Sequence, residues 1–273
     1  MVITNNDITQ KTYQKLSIQV SLSGLSFCVF DVITTKIIHT AAISFEKNKV
    51  IEEQLWRAFV DNIALTKPYD EIIVLHNNNL NTFVPTALFD VNFLASYLQY
   101  NTKVFETDFF TFDTIVPFEI NNIYVPFVNI NNFLLDQYES FEYKNSNSIL
   151  LKKLLDLSKN KDEKQVFVHI QKNTFELVIV KNQELLLFNS FKYFSPEDIG
   201  YKALAVNISD LAAAGAVPLG FSAGLIAPVP FERDTAKGIL AGMALLTHEH
   251  DLALTGGDLS RGEKLGFCLT VWG

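Results

Sequence analysis

Apolar and polar positions along the chain fall into two blocks built on one plan. Residues 16–45, "LSIQVSLSGLSFCVFDVITTKIIHTAAISF", read as three short strands rich in Val, Ile and Phe, separated by tight turns at 22–24 and 33–35. Residues 165–194, "QVFVHIQKNTFELVIVKNQELLLFNSFKYF", repeat that plan with turns at 171–173 and 181–183. After the first block Ile51, Leu55, Phe59 and Ile63 recur at helical spacing, with Glu52, Glu53, Arg57 and Asp61 on the other side. That spacing predicts an amphipathic helix. "YDEIIVLHNNN" then predicts a buried strand over 69–76 that ends in a polar loop. A meander, a helix and a strand, repeated once, is the grammar of a duplicated α/β domain.

The pattern after residue 194 is different. "SPED" is a helix start: Ser195 can cap, Pro196 suits the first helical position, and Glu197 and Asp198 favour the positive end of the helix dipole. A helix is expected over 196–214, with Leu204, Ile208, Leu211, Ala212 and Gly215 on one stripe and Asn207 and Asp210 sharing a flank. The small residues Ala212, Ala213, Ala214 and Gly215 permit close packing, and Gly215 stops the helix. A strand over 219–227 should follow, then a helix over 232–249 with Ala236, Ile239, Leu240, Met243 and Leu246 on its apolar face. Last come a short strand "LALT", a turn "GGDLSRG" and an alternating strand "GFCLTVW".

Composition sharpens this division. Gly24 is the single glycine before Gly200, and the other eleven of the twelve lie in the last 74 residues, whereas twenty of the 23 phenylalanines precede Gly200. Asn207 is the one asparagine of the tail. No Gly/Ser/Pro-rich linker marks the change, so the chain reads as a fusion without a linker, with domains at 1–198 and 199–273. The net charge of −8 argues against a nucleic-acid surface, which needs clustered Lys and Arg. Two cysteines, Cys28 and Cys268, both inside strand-like runs, imply no disulfide scaffold and a reducing compartment. The first residues have neither the basic nor the apolar region of a signal peptide, and no apolar run approaches 18 residues. The expectation is a cytoplasmic protein without membrane contact.

"NIYVPFVNINNFLLDQY" and "LLLFNSFKYFSPEDI" carry a resemblance, over residues 10–199, to a Bacteroidetes family of unknown function with the actin-like (ribonuclease H-like) ATPase fold. The resemblance implies a phosphate-holding turn between the first two strands of each half, with an Asp for Mg²⁺. Here those turns are "VSLSGLS" and "HIQKNTF"; neither holds an acidic residue, and Gly24 alone would let backbone approach a phosphate. They read as hairpin turns.

In the tail, "LTGGD" places paired glycines after a strand, with Asp258 as a carboxylate suited to Mg²⁺. "ALAVNISDLAAAGAVPLGF" followed by "LALTGGDLSRG" resembles the amino-terminal domain of thiamine-monophosphate kinase, of the wider superfamily of aminoimidazole ribonucleotide (AIR) synthetases, over residues 196–273. The resemblance implies Mg²⁺ and ATP as cofactors, with Asp210 and Asp258 as metal ligands and Asn207, Gly256 and Gly257 beside the nucleotide. Leu259 stands where many relatives have Thr. The family's Gly-Asp-Asp and Thr-Thr-Asp motifs do not occur in the chain, and the resemblance stops short of the kinase's carboxyl-terminal domain. Phosphoryl transfer needs several ligands in one geometry.

The fold expected is therefore α/β (α+β): a duplicated actin-like region with a truncated second half, followed by a partial AIR-synthase-like segment. The function expected is a non-catalytic fusion of an actin-like interaction module, with an unknown protein partner, and an incomplete thiamine-monophosphate kinase segment. The alternative is a Mg-ATP-dependent kinase that converts thiamine monophosphate to the diphosphate. Frayed sheet edges and exposed apolar faces would favour self-association. Elsewhere, "HNNNLNTFVP" (76–85) is a turn or a ligand loop, and His39 and His169 read as core or edge histidines. The aromatics of "FETDFFTFDTIVPF" are core or a protein-binding surface. His248 and His250 sit at a solvated helix end, two apart and so poor joint ligands.

Overall fold

The computed structural model describes residues 11–105, 107–171, 174–262 and 265–273. Residues 1–10, most of the amino-terminal stretch read for a signal peptide, Glu106 of the aromatic stretch, and Lys172 and Asn173 of the second meander's turn lie outside the described residues. The chain divides into two compact units, 1–152 and 153–273. The compositional change near residue 198 therefore lies inside the second unit.

In the first unit β1 (Gln14–Ser21), β2 (Gly24–Asp31) and β3 (Lys36–Ser44) form the expected meander. Helix α1 (Ile51–Asp61) crosses over to β4 (Glu71–His76), which lies parallel to β1 with Leu16 opposite Ile72 and Ile18 opposite Val74. Strand alternation turns Leu16, Ile18 and Val20 inward with Leu25, Phe27 and Val29, and Leu55 and Phe59 of α1 pack on them. Ile63 does not continue the stripe: α1 ends at Asp61, Asn62 turns to extended backbone, and Ile63 is exposed. Gly24 is a glycine because β3 passes over it: a Cβ there would lie 2.5 Å from the carbonyl oxygen of Ile43.

A small antiparallel sheet follows, ordered β5 (Asn81–Pro85), β7 (Ile120–Tyr124), β6 (Thr111–Ile115). Helix α2 (Leu94–Gln99) puts Leu98 against Val84 and Ile123 of that sheet. Helix α3 (Val128–Tyr138) adds Ile130 and Leu134 to the main core, and β8 (Glu142–Asn145) completes a five-stranded sheet ordered β3-β2-β1-β4-β8. The division between the units falls within α4 (Ser146–Leu157).

The second unit opens with the second meander, β9 (Gln165–Ile170), β10 (Thr174–Lys181) and β11 (Glu184–Lys192). Helix α5 (Pro196–Ala213) starts where the sequence predicts, and the Asp198 carboxylate accepts from the backbone N–H groups of Phe194 (2.9 Å) and Ser195 (3.2 Å). Gly215 follows the helix with φ +74°, the left-handed stop that glycine takes without a Cβ penalty. Strand β12 (Gly220–Ala227), α6 (Arg233–His250), β13 (Ala253–Arg261) and β14 (Gly266–Trp272) complete the unit. β12 pairs in parallel with β13 and antiparallel with β14, and β14 lies against β9.

Both compositional regimes contribute to the core of this unit. Val168, Phe175 and Leu177 from the meander pack with Leu204 and Ile208 of α5, Phe221 of β12, Ile239 and Met243 of α6, and Phe267 of β14. The close approach of α5 and α6 rests on glycines. A Cβ on Gly200 would lie 1.8 Å from the carbonyl oxygen of Ile239, and one on Gly242 would lie 1.9 Å from that of Glu197. Ala212, Ala213, Ala214 and Gly215, the small residues expected to permit close packing, are exposed at the far end of α5. On α6 the buried face is Ile239, Met243 and Leu246, with Leu240 exposed.

Candidate functional site

The tail residues singled out for metal and nucleotide are placed as follows. Asn207 lies on α5 and donates its amide to the carbonyl of Ala203 (2.8 Å), one turn back. Asp210, one turn further along α5, is exposed. Gly256, Gly257 and Asp258 are not in a turn, which corrects the expectation for "GGDLSRG". They belong to a nine-residue strand and pair in register with Ser222, Ala223 and Gly224 of β12. The reason is a register shift between Phe221 and Ser222 that leaves Thr255 without an opposite number. This bulge takes up the irregularity, and the glycines run on as strand. A Cβ on Gly257 would lie 3.2 Å from the carbonyl oxygen of Ala223, so strand packing accounts for a glycine there. Asp258 is exposed and accepts a hydrogen bond from the Ser260 hydroxyl (2.7 Å). Among the described residues no group of three or more His, Cys, Asp or Glu side chains is placed to hold a metal ion. A Mg²⁺ on Asp210 or Asp258 would draw the rest of its shell from phosphate and water.

The polar loop after β4 is tied into the fold. Buried His76 accepts from the Phe127 N–H on Nδ1 (3.1 Å), which leaves Nε2 to donate to the Asn131 side-chain oxygen (3.0 Å). Burial holds this imidazole neutral and its pKa down to about 4. Asn78 donates to the carbonyl of Val125 (2.9 Å), and Asn81 donates to Asn122 (3.0 Å) and accepts from Asn147 (2.9 Å). His39 is exposed on β3 with its ring 5.4 Å from that of Phe27. His248 and His250 are exposed in the last turn of α6.

Two buried carboxyls escaped the sequence reading. Asp113 of β6 accepts from the Tyr124 hydroxyl (3.1 Å), the Asn145 N–H (2.8 Å) and the Ser148 hydroxyl (2.5 Å), and Ser148 accepts from Asn122 (2.8 Å). Burial raises its pKa, and those hydrogen bonds pull the other way. The group fastens the small sheet to the end of β8 and the start of α4. Glu176, on the central strand of the second meander, is buried between His169 and Ser190 in the ladder, and Gln171 donates to both of its oxygens (3.2 and 3.1 Å). Burial pushes this carboxyl up to about 7. The readable signal is a charge inside the apolar run "TFELVIVK", three residues past the turn at 171–173.

A family model described as "AIR synthase related protein, N-terminal domain" matches residues 178–273. The thiamine-monophosphate kinase of Bacillus subtilis is 45% identical over 82 residues, which are 30% of this chain and 25% of that protein. The Corynebacterium glutamicum enzyme is 30% identical over 118 residues, 42% of this chain and 35% of that protein. The chain thus spans about a quarter to a third of the curated relatives it matches. Among solved structures, a Bacteroides thetaiotaomicron protein with an actin-like ATPase fold and unknown function superposes with a TM-score of 0.73 at 17% identity. The superposition covers 94% of this chain and 93% of that one, so the likeness in fold runs on through the kinase-like segment. A second family model, described as "Protein of unknown function (DUF3822)", matches residues 3–207, and both models claim 178–207, where β11 leads into α5. With three quarters of its length matched in this way, the chain belongs to the DUF3822 family.

Proposed function

We propose that the chain is a cytoplasmic interaction module in which the kinase-like segment serves as structure rather than as catalyst. The observation that carries this reading is the shared core of the second unit. Phe221, Ile239, Met243 and Phe267 of the kinase-like segment are spent on Val168, Phe175 and Leu177 of the actin-like meander. Gly256 and Gly257 are likewise engaged as strand residues. Cys28 and Cys268 are free thiols, which supports a reducing compartment, and no helix among the described residues is long and apolar enough to cross a membrane.

The identity to thiamine-monophosphate kinases favours a second reading, binding of Mg-ATP through Asp210 and Asp258 with Asn207, Gly256 and Gly257 alongside. Calorimetric titration of the full chain with ATP and Mg²⁺ separates the two. The interaction reading expects no binding heat. Heat that vanishes in Asp258→Asn and Asp210→Asn would overturn it in favour of the kinase-type site.

A further inference from the structure

A cavity of about 460 Å³ opens on the first unit between the β1–β2 turn, the start of α1 and the start of α3. Its rim is apolar and uncovered: Leu22 is 64% exposed, Val50 55%, Phe109 54% and Val128 41%. Large side chains of that kind gathered round one concavity mark an interaction site more often than scattered surface leucines do. Two carboxylates, Glu52 and Asp108, are the charged groups of the lining, and no lysine, arginine or histidine is among the described residues that form it. The residues that lead into α1 and α3, Val50 and Phe127, make no side-chain cap hydrogen bond, so among the described residues neither N-cap side chain occupies the first-turn N–H groups beside this cavity.

We propose that this groove docks a short polypeptide segment carrying an aliphatic or aromatic anchor flanked by Lys or Arg. Each part of that description answers a feature of the groove. The apolar rim takes the anchor, and Glu52 and Asp108 take the basic flank. The helix-start N–H groups take main-chain carbonyls, which an acyl chain lacks. A second copy of this chain is the poorer occupant, because with a net charge of −8 it would bring carboxylates to carboxylates. The inference rests on the interaction reading and gives it a site and a partner chemistry.

The test is fluorescence anisotropy of the labelled peptide KRSLFSLKR with the full chain, against EDSLFSLED and KRSSGSSKR, followed by amide-shift mapping. Binding of the first peptide at least tenfold tighter than the other two is expected, with shifts around Leu22, Glu52 and Val128. A loss of at least tenfold is expected in Leu22→Ser/Phe109→Ser and in Glu52→Lys, each with an unchanged circular dichroism spectrum. Absence of binding, equal binding of the three peptides, or binding untouched by these substitutions would overturn the proposal. So would binding only to phosphatidylcholine vesicles, or dimerisation abolished by Leu22→Ser, since each gives the groove to another occupant. Shifts on a different face would overturn the groove while leaving an interaction module. The ATP titration above addresses that broader reading separately.

Discussion

Replacing Gly242 by alanine probes the fit between the two sequence regimes. Gly242 belongs to α6, in the kinase-like segment, and faces the first turn of α5, at the compositional seam. An alanine Cβ would sit 1.9 Å from the Glu197 carbonyl oxygen and 2.7 Å from its carbonyl carbon. Carbon atoms pack best at about 3.5–4.0 Å, so the helices must part by roughly 1 Å. The obstacle is backbone and cannot rotate aside. Parting the helices loosens Ile199, Leu204, Ile239 and Met243, all of which lie in the shared core. Overpacking of this kind costs about 1–3 kcal/mol. The gain in helix propensity from glycine to alanine offsets about 1 kcal/mol. Since the contact is with main chain, the upper part of the range applies, and a net loss of about 2 kcal/mol is expected. Urea unfolding followed by far-ultraviolet circular dichroism measures it. Gly256→Ala serves as the control, since its Cβ would meet nothing nearer than the Ser222 Cβ at 3.9 Å. A Gly242→Ala protein as stable as the wild type, with the same urea dependence, would refute the reasoning.

Two buried carboxyls give further tests. Glu176 titrates at about 7 in the folded protein against an ordinary 4.5, so between those values the folded state holds a proton that the unfolded state has lost. Its contribution therefore makes folding less favourable as pH rises from 4.5 to 7, to a limit of about 3 kcal/mol. Glu176→Gln keeps an acceptor for Gln171 and removes the charge; urea unfolding should show it more stable than wild type at pH 8, the difference shrinking toward pH 5. A difference independent of pH would contradict this assignment. Asp113→Ala strands the Tyr124 and Ser148 hydroxyls and the Asn145 N–H, and thermal unfolding should show a loss of about 3 kcal/mol or more. A loss below about 1 kcal/mol would mean that this network does not hold the small sheet.

Local signals in the sequence predict the secondary structure of this chain well, because each signal is itself a local interaction. The alternation of Leu16, Ile18 and Val20 places β1, the recurrence of Leu55 and Phe59 places α1, and "SPED" places the start of α5 to the residue. Long-range contacts are where the reading fails. Gly256–Asp258 look like a turn until β12 is present to pair with them, and the bulge that aligns them is a property of two strands. Gly200, Gly238 and Gly242 carry no local signal distinct from Ala212–Ala214; only the crossing of α5 with α6 separates packed small residues from exposed ones. Asp113 and Glu176 become notable through partners at other points in the chain, Ser148 35 residues from the first and Gln171 five from the second. Of the proposed ligand residues, the sequence named the side chains, while the strand that carries three of them emerged only with the fold.

The decisive measurement is native-state hydrogen exchange of the full chain in low urea, with and without Gly242→Ala. If the meander and the kinase-like segment fold as one body, amides of Leu177 in β10, Leu204 in α5 and Met243 in α6 share one opening free energy. Gly242→Ala then lowers all of them by the same amount. Protection of β10 that stays at its original value while α5 and α6 open more readily would contradict the account, showing two structures that touch without sharing a core.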